Sequence, residues 1–276
     1  MQKKIAIIGC GYVGMEAASL WSQNGYLVTA TTRHPERLAD LSKVAQKTQV
    51  LKSDDEEALA SLIDANDVIA VTLAADSIDQ YEHTYLHTAQ LFRWLASEMN
   101  VSKRLLYTSS TSVYGDHHGR WVDETSELLA RSEQSKILVD SEKVYLSLKD
   151  FGWNVCIFRL AEIYGPGREI SRRVQTMQGH KLPGTGESCT NMVRKEDVAA
   201  ALDYALRYQL EGIYNLADDE HPTRKELYQS MAKKLKLKDL EWDASLAGMH
   251  SDSKRVSNHK IKAEGFSFLF PHRILD

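Results

Sequence analysis

The sequence is poor in cysteine and has no long apolar run, and both absences limit what the protein can be. Its three cysteines, Cys10, Cys156 and Cys189, lie far apart, which favours reduced thiols in a cytoplasmic protein over a disulfide framework. None of them has the spacing of metal ligands, so we predict no metal site. No stretch approaches the roughly 18 apolar residues of a membrane span, so we predict no membrane partner.

The sequence also lacks an excess of charge of either sign. The net charge is −4 in 276 residues, which gives no indication of binding to nucleic acid or to an anionic membrane. Hydrophobic residues make up 43% of the chain and charged residues 26%, a composition typical of a soluble globular protein. The length predicts one large core, or one domain with a smaller lobe.

Apolar segments typical of buried strands alternate with helical patterns through the first two-thirds of the chain. The predicted strands are residues 4–9, 27–32, 67–74, 104–110 and 154–165. The predicted helices between them are residues 15–25, 35–46, 85–99 and 135–152. This alternation predicts an α/β fold, with a parallel sheet covered by helices on both faces.

The pattern changes after Gly165, where the chain becomes polar and loses its long period. The elements predicted beyond this point are a helix at 197–208, a strand at 212–217 and a charged helical tail at 223–238. We therefore predict a sheet domain and a smaller lobe. The sheet domain comprises residues 1–164 and 195–217, and the lobe comprises residues 165–194 and 218–276.

A glycine motif, GCGYVG at 9–14, follows the first predicted strand and opens a helix. In this context Gly9 permits a tight turn, Gly11 lets the backbone approach a pyrophosphate, and Gly14 lets the helix pack closely on the strand. A diphosphate would then bind at the helix N-terminus, where free N–H groups favour anions. The motif predicts a nucleotide cofactor, and the alternative is a glycine-rich structural turn.

The end of the second predicted strand indicates which cofactor binds. An NAD site usually has an acidic residue there, about 20 residues after the glycines, but this chain has Thr31, Thr32 and Arg33. An arginine can pair with a 2′-phosphate, so NADP is favoured over NAD; the alternative for Arg33 is a solvated surface residue. The predicted cofactor-binding residues are Gly9, Gly11, Tyr12, Val13, Gly14, Thr32, Arg33, Leu73 and Ala74.

Four further motifs resemble the landmarks of the extended short-chain dehydrogenase/reductases, also called the NAD-dependent epimerase/dehydratase family. They are YTSSTSVYG (107–115), SKILVDSEK (135–143), RLAEIYGPGR (159–168) and DVAAAL (197–202). The resemblance implies a Rossmann-type doubly wound sheet with a small C-terminal substrate-binding lobe. It also implies NAD(P)-linked oxidoreductase or epimerase chemistry on a small-molecule substrate. The glycine spacing G-x-G-x-x-G departs from the family's usual G-x-x-G-x-x-G and suggests a divergent branch.

Family members use a serine, a tyrosine and a lysine, and the resemblance places Ser110 and Lys136 at two of these positions. The lysine also holds the nicotinamide ribose, so Lys136 joins the cofactor set. The tyrosine, which exchanges a proton with the substrate oxygen, is replaced by Ser132. This chain therefore resembles the atypical branch that lacks the active-site tyrosine.

Tyr145 and Lys149 reproduce the local Tyr-x-x-x-Lys spacing but are not expected to replace the missing pair. Tyr145 lies 13 residues beyond Ser132 on the same predicted helix, roughly 20 Å along its axis, so we interpret it as a packing residue. Family dehydratases carry an Asp-Glu pair after the serine, where this chain has Thr111 and Ser112. The resemblance therefore argues against a dehydratase of that mechanism.

A substitute proton donor is expected on the loops at the carboxyl ends of the strands. The candidates are Tyr114, Asp116, His117, Glu162 and Tyr164. Both tyrosines belong to family motifs in which they usually pack. Histidine is the side chain that ordinarily exchanges a proton near neutral pH, so His117 is the most economical substitute. His117 and His118 also fit an exposed polar loop, and Glu162 also fits simple pairing with an arginine.

The segment after Gly165 is locally basic. Its cationic residues are Arg168, Arg172, Arg173, Lys181 and Arg194. They indicate either a diphosphate-bearing or acidic substrate, or a solvated charged face. The predicted substrate contacts are Ser110, Thr111, His117, Arg168 and Arg172.

Two hypotheses of function remain open from the sequence. One is an NADP-dependent oxidoreductase or epimerase on a small polar or sugar-like metabolite, with the proton supplied by another group or by water. The other is a cofactor-binding protein without turnover, which senses NADP(H) or binds a partner. The enzyme is favoured because Ser110 and Lys136 are retained. Either could be a monomer or a homodimer.

Overall fold

The chain packs as two compact units. The computed structural model describes residues 2–52, 55–246 and 252–275, so the parts of the predicted domains at 1, 53–54, 247–251 and 276 lie outside the described residues. The first unit comprises Met1–Ser110, Arg131–Arg159 and Val198–Tyr214. The second unit comprises Thr111–Ala130, Leu160–Asp197 and Asn215–Asp276. The segment Thr111–Ala130 thus packs with the second unit, whereas the sequence groups it with the first.

The strands and helices of the described residues are as follows. The strands are β1 (Lys4–Ile8), β2 (Leu27–Thr32), β3 (Lys47–Val50), β4 (Val68–Val71), β5 (Arg104–Ser110), β6 (Trp121–Val122), β7 (Asn154–Leu160), β8 (Glu162–Tyr164), β9 (Lys181–Pro183), β10 (Met192–Arg194), β11 (Gly212–Leu216), β12 (Glu241–Asp243) and β13 (Arg255–Val256). The α-helices are α1 (Tyr12–Gln23), α2 (Leu38–Leu41), α3 (Glu56–Ala65), α4 (Thr88–Met99), α5 (Glu133–Leu146), α6 (Ile170–Thr176), α7 (Lys195–Tyr208), α8 (Arg224–Lys234) and α9 (His259–Ala263). Short 3₁₀ turns lie at Pro35–Arg37, Ile78–Gln80, Thr111–Tyr114 and Ser147–Phe151, and a π-helical turn lies at His83–His87.

A seven-stranded sheet forms the centre of the first unit, in the order β11-β7-β5-β4-β1-β2-β3. The pairings of β1 with β2, β1 with β4, β2 with β3 and β4 with β5 are all parallel. This confirms the predicted α/β fold with a Rossmann-type parallel sheet. Because β1 lies between β2 and β4, the strand order reverses at β1, and such a reversal is where ligands bind in open α/β sheets.

Two elements of the sheet domain are missing from the sequence-based prediction. Strand β3 reads KTQV and is an edge strand with no fully buried residue, so it lacks the apolar pattern that identified the other strands. Helix α3 begins after Asp55, whose side chain accepts a hydrogen bond from the Ala58 amide at 3.1 Å. That N-cap and the acidic first turn are sequence signals by which α3 could have been found.

Two predicted elements are wrong in extent. The helix predicted at 35–46 is only a 3₁₀ turn followed by α2, because the chain must turn after Leu41 to enter β3. The strand predicted at 154–165 is divided at Ala161 into β7, which belongs to the central sheet, and β8, which pairs with β10. Strand β7 is almost entirely buried, whereas only Tyr164 of β8 is buried. Apolar residues nevertheless occur on both sides of the division, so periodicity alone does not reveal it.

The second unit is built from three parallel strand pairs and its own apolar core. The pairs are β8 with β10, β9 with β12 and β6 with β13. The core includes Tyr164, Ile170, Met192, Tyr228 and Met231. None of the helices within the described ranges is long and apolar enough to cross a membrane.

Candidate cofactor and catalytic site

The glycine turn joins the ends of three neighbouring strands. Gly9 has a φ of +78°, and a Cβ atom at this position would lie 2.9 Å from the Cα atom of Leu73, so only glycine fits. The Thr72 hydroxyl donates to the Gly9 carbonyl at 2.9 Å, and the Gly9 amide donates to the Thr31 hydroxyl at 3.4 Å. The turn after β1 is therefore held against the ends of β2 and β4.

The packing around Gly14 requires a glycine, whereas the packing around Gly11 does not. A Cβ atom on Gly14 would lie 2.8 Å from Thr72 Oγ1 and 3.2 Å from Ile7 Cγ2, so the helix packs as closely as the sequence predicts. A Cβ atom on Gly11 would meet only the Gly9 carbonyl oxygen, at an ordinary 3.8 Å. The packing of the chain itself does not require Gly11, which leaves space beside the turn.

The start of α1 next to Gly11 has the features of an anion site. Helix α1 begins at Tyr12 without a side-chain cap and without an acidic residue in its first turn. A helix N-terminus of this kind favours a phosphate or another anion. The open approach at Gly11 and the uncapped helix together fit the diphosphate of a dinucleotide.

Arg33 lies against the loop that follows β4. Its Nη2 atom lies 2.5 Å from Asp76 Oδ2 and donates to the Ala74 carbonyl at 3.3 Å, and its Nη1 donates to Gln80 Oε1 at 3.4 Å. The structure thus brings together Arg33 and Ala74, both predicted to contact the cofactor. Thr32 is buried, and its hydroxyl accepts a hydrogen bond from the His34 amide at 3.1 Å.

Asp76 and Tyr85 are two residues of this region that the sequence analysis missed. Tyr85 lies in the π-helical turn before α4, and its hydroxyl donates to the Leu73 carbonyl at 3.4 Å. Burial raises the pKa of Tyr85 above its ordinary value. Asp76, the acid next to Arg33, lies in the loop after β4 rather than at the end of β2. Its proximity to Arg33 could therefore not be predicted from the spacing of residues in the sequence.

Ser132, which the sequence aligns with the family's tyrosine position, is the N-cap of α5. Its hydroxyl oxygen accepts a hydrogen bond from the Ser135 amide at 3.1 Å and donates to the Ser135 hydroxyl at 2.8 Å. Lys136 is exposed in the first turn of the same helix, and its amide donates to the Ser132 carbonyl at 3.1 Å. The serine is therefore engaged in starting the helix that carries Lys136.

A buried network attaches α5 to the central sheet beside Ser110. The Ser109 hydroxyl donates to Glu142 Oε1 at 2.6 Å, and Arg159 Nη2 donates to Glu142 Oε2 at 2.7 Å. The Arg159 Nε also lies 3.1 Å from Glu142 Oε1, and both side chains of the ion pair are only 3% exposed. Ser110 ends β5 directly after Ser109 and is half-buried. The network fixes the helix of Lys136 relative to the strand of Ser110.

Tyr145 is a packing residue, as the sequence predicts. It is fully buried, and its ring lies 4.5 Å from that of Tyr107 and 5.8 Å from that of Phe92. Complete burial raises the pKa of the Tyr145 hydroxyl far above its ordinary value. Tyr145 is therefore enclosed in the core and does not reach a substrate.

His117, the substitute donor that the sequence favours, lies in the second unit and is 8% exposed, so the expectation of an exposed loop is wrong for this residue. Its Nε2 lies 3.2 Å from the Glu127 carbonyl oxygen, and its amide donates to the Ser253 carbonyl at 3.0 Å. His118 is exposed, and its Nδ1 lies 3.2 Å from Asp116 Oδ2. The two histidines thus have different surroundings.

The other candidate donors in the second unit have structural partners. Tyr114 and Tyr164 are fully buried, and the Tyr114 hydroxyl donates to Asn215 Oδ1 at 2.8 Å. Burial raises the pKa of Tyr164 to about 12. Glu162 forms an ion pair with Arg173, which is the simple pairing that the sequence allows.

The predicted basic cluster is divided between paired and surface residues. Arg194 is 8% exposed, its Nε donates to Glu196 at 3.1 Å, and its guanidinium carbon lies 4.4 Å from the centre of the Phe270 ring. Arg168, Arg172 and Lys181 are exposed. Thr111, the remaining predicted substrate contact, is buried in the second unit.

The comparisons with known proteins agree with the fold. The family model described as NAD dependent epimerase/dehydratase matches residues 5–217. Protein YeeZ of Escherichia coli strain K12 is 33% identical over 281 aligned residues, which cover 98% of this chain and 97% of that protein.

Two solved structures share the fold at lower sequence identity. The dTDP-glucose 4,6-dehydratase of Bacillus anthracis, in complex with NAD, is 20% identical with a TM-score of 0.80, and the match covers 98% of this chain and 92% of the other. The UDP-glucose 4-epimerase of Thermus thermophilus, in complex with NAD, is 17% identical with a TM-score of 0.80, and the match covers 97% and 94%.

The buried ion pair leads to a prediction about stability. Arg159→Met leaves the Glu142 carboxylate buried and unpaired, so we expect the free energy of unfolding to fall by about 3–5 kcal/mol. The matched control is Lys143→Met, which breaks the exposed Lys143–Asp140 pair on the same helix and is expected to cost less than about 1 kcal/mol. Urea unfolding of both variants measures the difference, and equal losses would contradict the prediction.

The cap of α5 leads to a second prediction. Ser132→Ala removes the acceptor for the Ser135 amide and should lower the free energy of unfolding by about 1 kcal/mol. Ser132→Asp keeps an oxygen acceptor at the N-cap and should retain most of the stability. If thermal or urea unfolding gave the two variants the same stability, the hydroxyl of Ser132 would not be acting as a cap.

Proposed function

This chain belongs to the NAD-dependent epimerase/dehydratase family, and we propose that it binds NADP(H) in preference to NAD(H) and acts on a small polar or sugar-like metabolite. Nucleotide-linked sugars are included in this substrate class. The observation that carries the proposal is the glycine turn, where Gly11 is small without being required by the packing of the chain. We place this function in the cytoplasm, with a small-molecule substrate as the partner and a monomer or homodimer as the assembly.

The residues that would hold the cofactor surround the ends of β1, β2 and β4. The diphosphate would bind at the start of α1, near Gly11, Tyr12 and Val13. Arg33 would meet the 2′-phosphate, and Lys136 would hold the nicotinamide ribose. When bound, a nicotinamide cofactor supplies the acceptor or donor of a hydride. The chain itself would orient the substrate oxygen through Ser110 and hold the cofactor in position relative to the substrate.

The substrate class is supported by the two enzymes that share the fold. One is a dTDP-glucose 4,6-dehydratase and the other a UDP-glucose 4-epimerase, and both are in complex with NAD. Thr111 and Ser112 replace the acid pair of the family dehydratases, so among these reactions we favour oxidoreduction or epimerisation. The proton would come from a group other than residue 132, because the Ser132 hydroxyl serves as the helix cap.

A second candidate function is cofactor binding without turnover, as in a redox sensor or a regulatory partner protein. It is favoured by one observation, the use of Ser132 as the N-cap of α5. A serine at this position stabilises the helix of Lys136 without supplying an acid. Lys136 can hold a ribose in either function.

The cofactor proposal predicts stabilisation by ligand. Saturating NADP should stabilise the fold by about 2.7 kcal/mol at 100 times its Kd and so raise Tm. Gly11→Val should abolish the Tm shift but keep the fold, because a Cβ atom at this position would meet only the Gly9 carbonyl oxygen, at 3.8 Å. Gly14→Ala should instead destabilise the ligand-free protein. No Tm shift with NADP, NAD or their reduced forms at millimolar concentration would exclude the cofactor.

The missing tyrosine predicts slow chemistry on ordinary substrates. With the ordinary alcohol, aldehyde and sugar-nucleotide substrates we expect no hydride transfer above background, because a serine hydroxyl does not protonate the substrate oxygen. Turnover would be confined to a substrate that places its oxygen within reach of a different proton donor. Ser132→Tyr places a phenol at this position and should raise the rate, followed by nicotinamide absorbance. Robust oxidation by the wild type that is lost in Ser132→Ala and in Ser132→Asp, but kept in His117→Ala, would show that Ser132 itself takes part.

A further inference from the structure

Asp76 forms an ion pair with Arg33, the side chain that we propose binds the 2′-phosphate of NADP. Its Oδ2 lies 2.5 Å from Arg33 Nη2 and 3.6 Å from His34 Nε2. Asp76 lies in the loop after β4, next to the segment of Leu73 and Ala74, and the same Arg33 nitrogen also contacts the Ala74 carbonyl. The candidate 2′-phosphate subsite thus contains its own carboxylate.

We propose that Asp76 is a specificity-determining residue that competes with a 2′-phosphate for Arg33. NADP(H) must displace the carboxylate to reach the guanidinium, whereas NAD(H), which has a 2′-hydroxyl, binds without doing so. This inference rests on the proposed dinucleotide site. It adds that Arg33 and Asp76 together set the preference for NADP(H) over NAD(H). This preference is smaller than it would be if Arg33 had no carboxylate partner.

The chemistry of the two anions supports direct competition. Carboxylate and phosphate oxygens use the same fork of guanidinium N–H donors, so one anion occupies the donors that the other needs. A phosphate that approaches Arg33 also meets the negative charge of Asp76 a few ångströms away, which repels it. Both effects weaken NADP(H) and leave NAD(H) unaffected.

The exposure of the pair allows the exchange. The Arg33 side chain is 33% exposed and the Asp76 side chain is 55% exposed. An ion pair in contact with water is weak, typically below about 1 kcal/mol, so an incoming phosphate can open it. Arg33 would keep its contacts with the Ala74 carbonyl and Gln80, which hold the guanidinium at the loop while the anions exchange.

The experiment compares the affinities of NADP+ and NAD+ in the full chain by titration calorimetry. Asp76→Asn keeps the shape of the side chain and removes its charge. We expect the Kd for NADP+ to fall by about tenfold, since both the ion pair and the repulsion are lost. The Kd for NAD+ should change by less than about twofold, because no charged group of NAD+ meets Arg33.

Asp79→Asn is the matched control. Asp79 is exposed in the same loop and forms no ion pair within the residues that the structure describes. The Asp79→Asn variant loses the same charge as Asp76→Asn, and both of its Kd values should change by less than about twofold. In the Arg33→Ala background, Asp76→Asn should strengthen NADP+ binding clearly less than in the wild type, because only the repulsion remains to be lost.

The outcomes separate this inference from the proposed function. If the wild type binds dinucleotides but Asp76→Asn leaves the ratio of the two Kd values unchanged, or acts no differently from Asp79→Asn, the role of Asp76 is wrong and the cofactor site stands. If the wild type and Asp76→Asn bind neither NADP+ nor NAD+, the proposed function fails and this inference fails with it. A selective gain for NADP+ supports both.

Discussion

The ion pair between Glu142 and Arg159 is the contact on which the geometry of the candidate catalytic residues depends. It is almost completely buried, so each charge has lost its hydration and needs the other. Glu142 also accepts a hydrogen bond from the Ser109 hydroxyl. Its carboxylate therefore joins α5 to Ser109 of β5 and to Arg159 of β7. Ser110 and Lys136 are carried by the strand and the helix that this carboxylate joins.

The same helix begins at Ser132, the residue that the sequence aligns with the family tyrosine. Position 132 is the residue before the first turn of α5, and a serine there satisfies an amide that would otherwise lack a partner. Lys136 lies in the first turn of this helix, and Ser110 lies at the end of β5. Ser132 thus has a structural role at the start of the helix. Among the candidate donors, Tyr114 and Tyr164 are buried, while Glu162 pairs with Arg173 and Asp116 lies next to His118.

At the proposed cofactor end of the sheet, the three glycines of the turn have different roles. Gly9 and Gly14 are required by the backbone and by the packing of α1, whereas Gly11 leaves room beside the helix N-terminus. Arg33 follows β2 directly and is paired with Asp76. Under our proposal, the selectivity of this site for NADP(H) would depend on Asp76 as well as on Arg33.

The sequence by itself determined the α/β fold, the family and the position of the glycine turn, because buried strands, amphipathic helices and tight turns leave local patterns. The cofactor and substrate roles of the individual residues stay predictions. Strand β3 was not predicted because an edge strand need not be apolar. The division at Ala161 was not predicted because apolar residues occur on both sides of it. Only the tertiary structure decided that Ser132 caps a helix, that His117 is buried and that Asp76 pairs with Arg33, since each depends on burial or on contacts that no local spacing encodes.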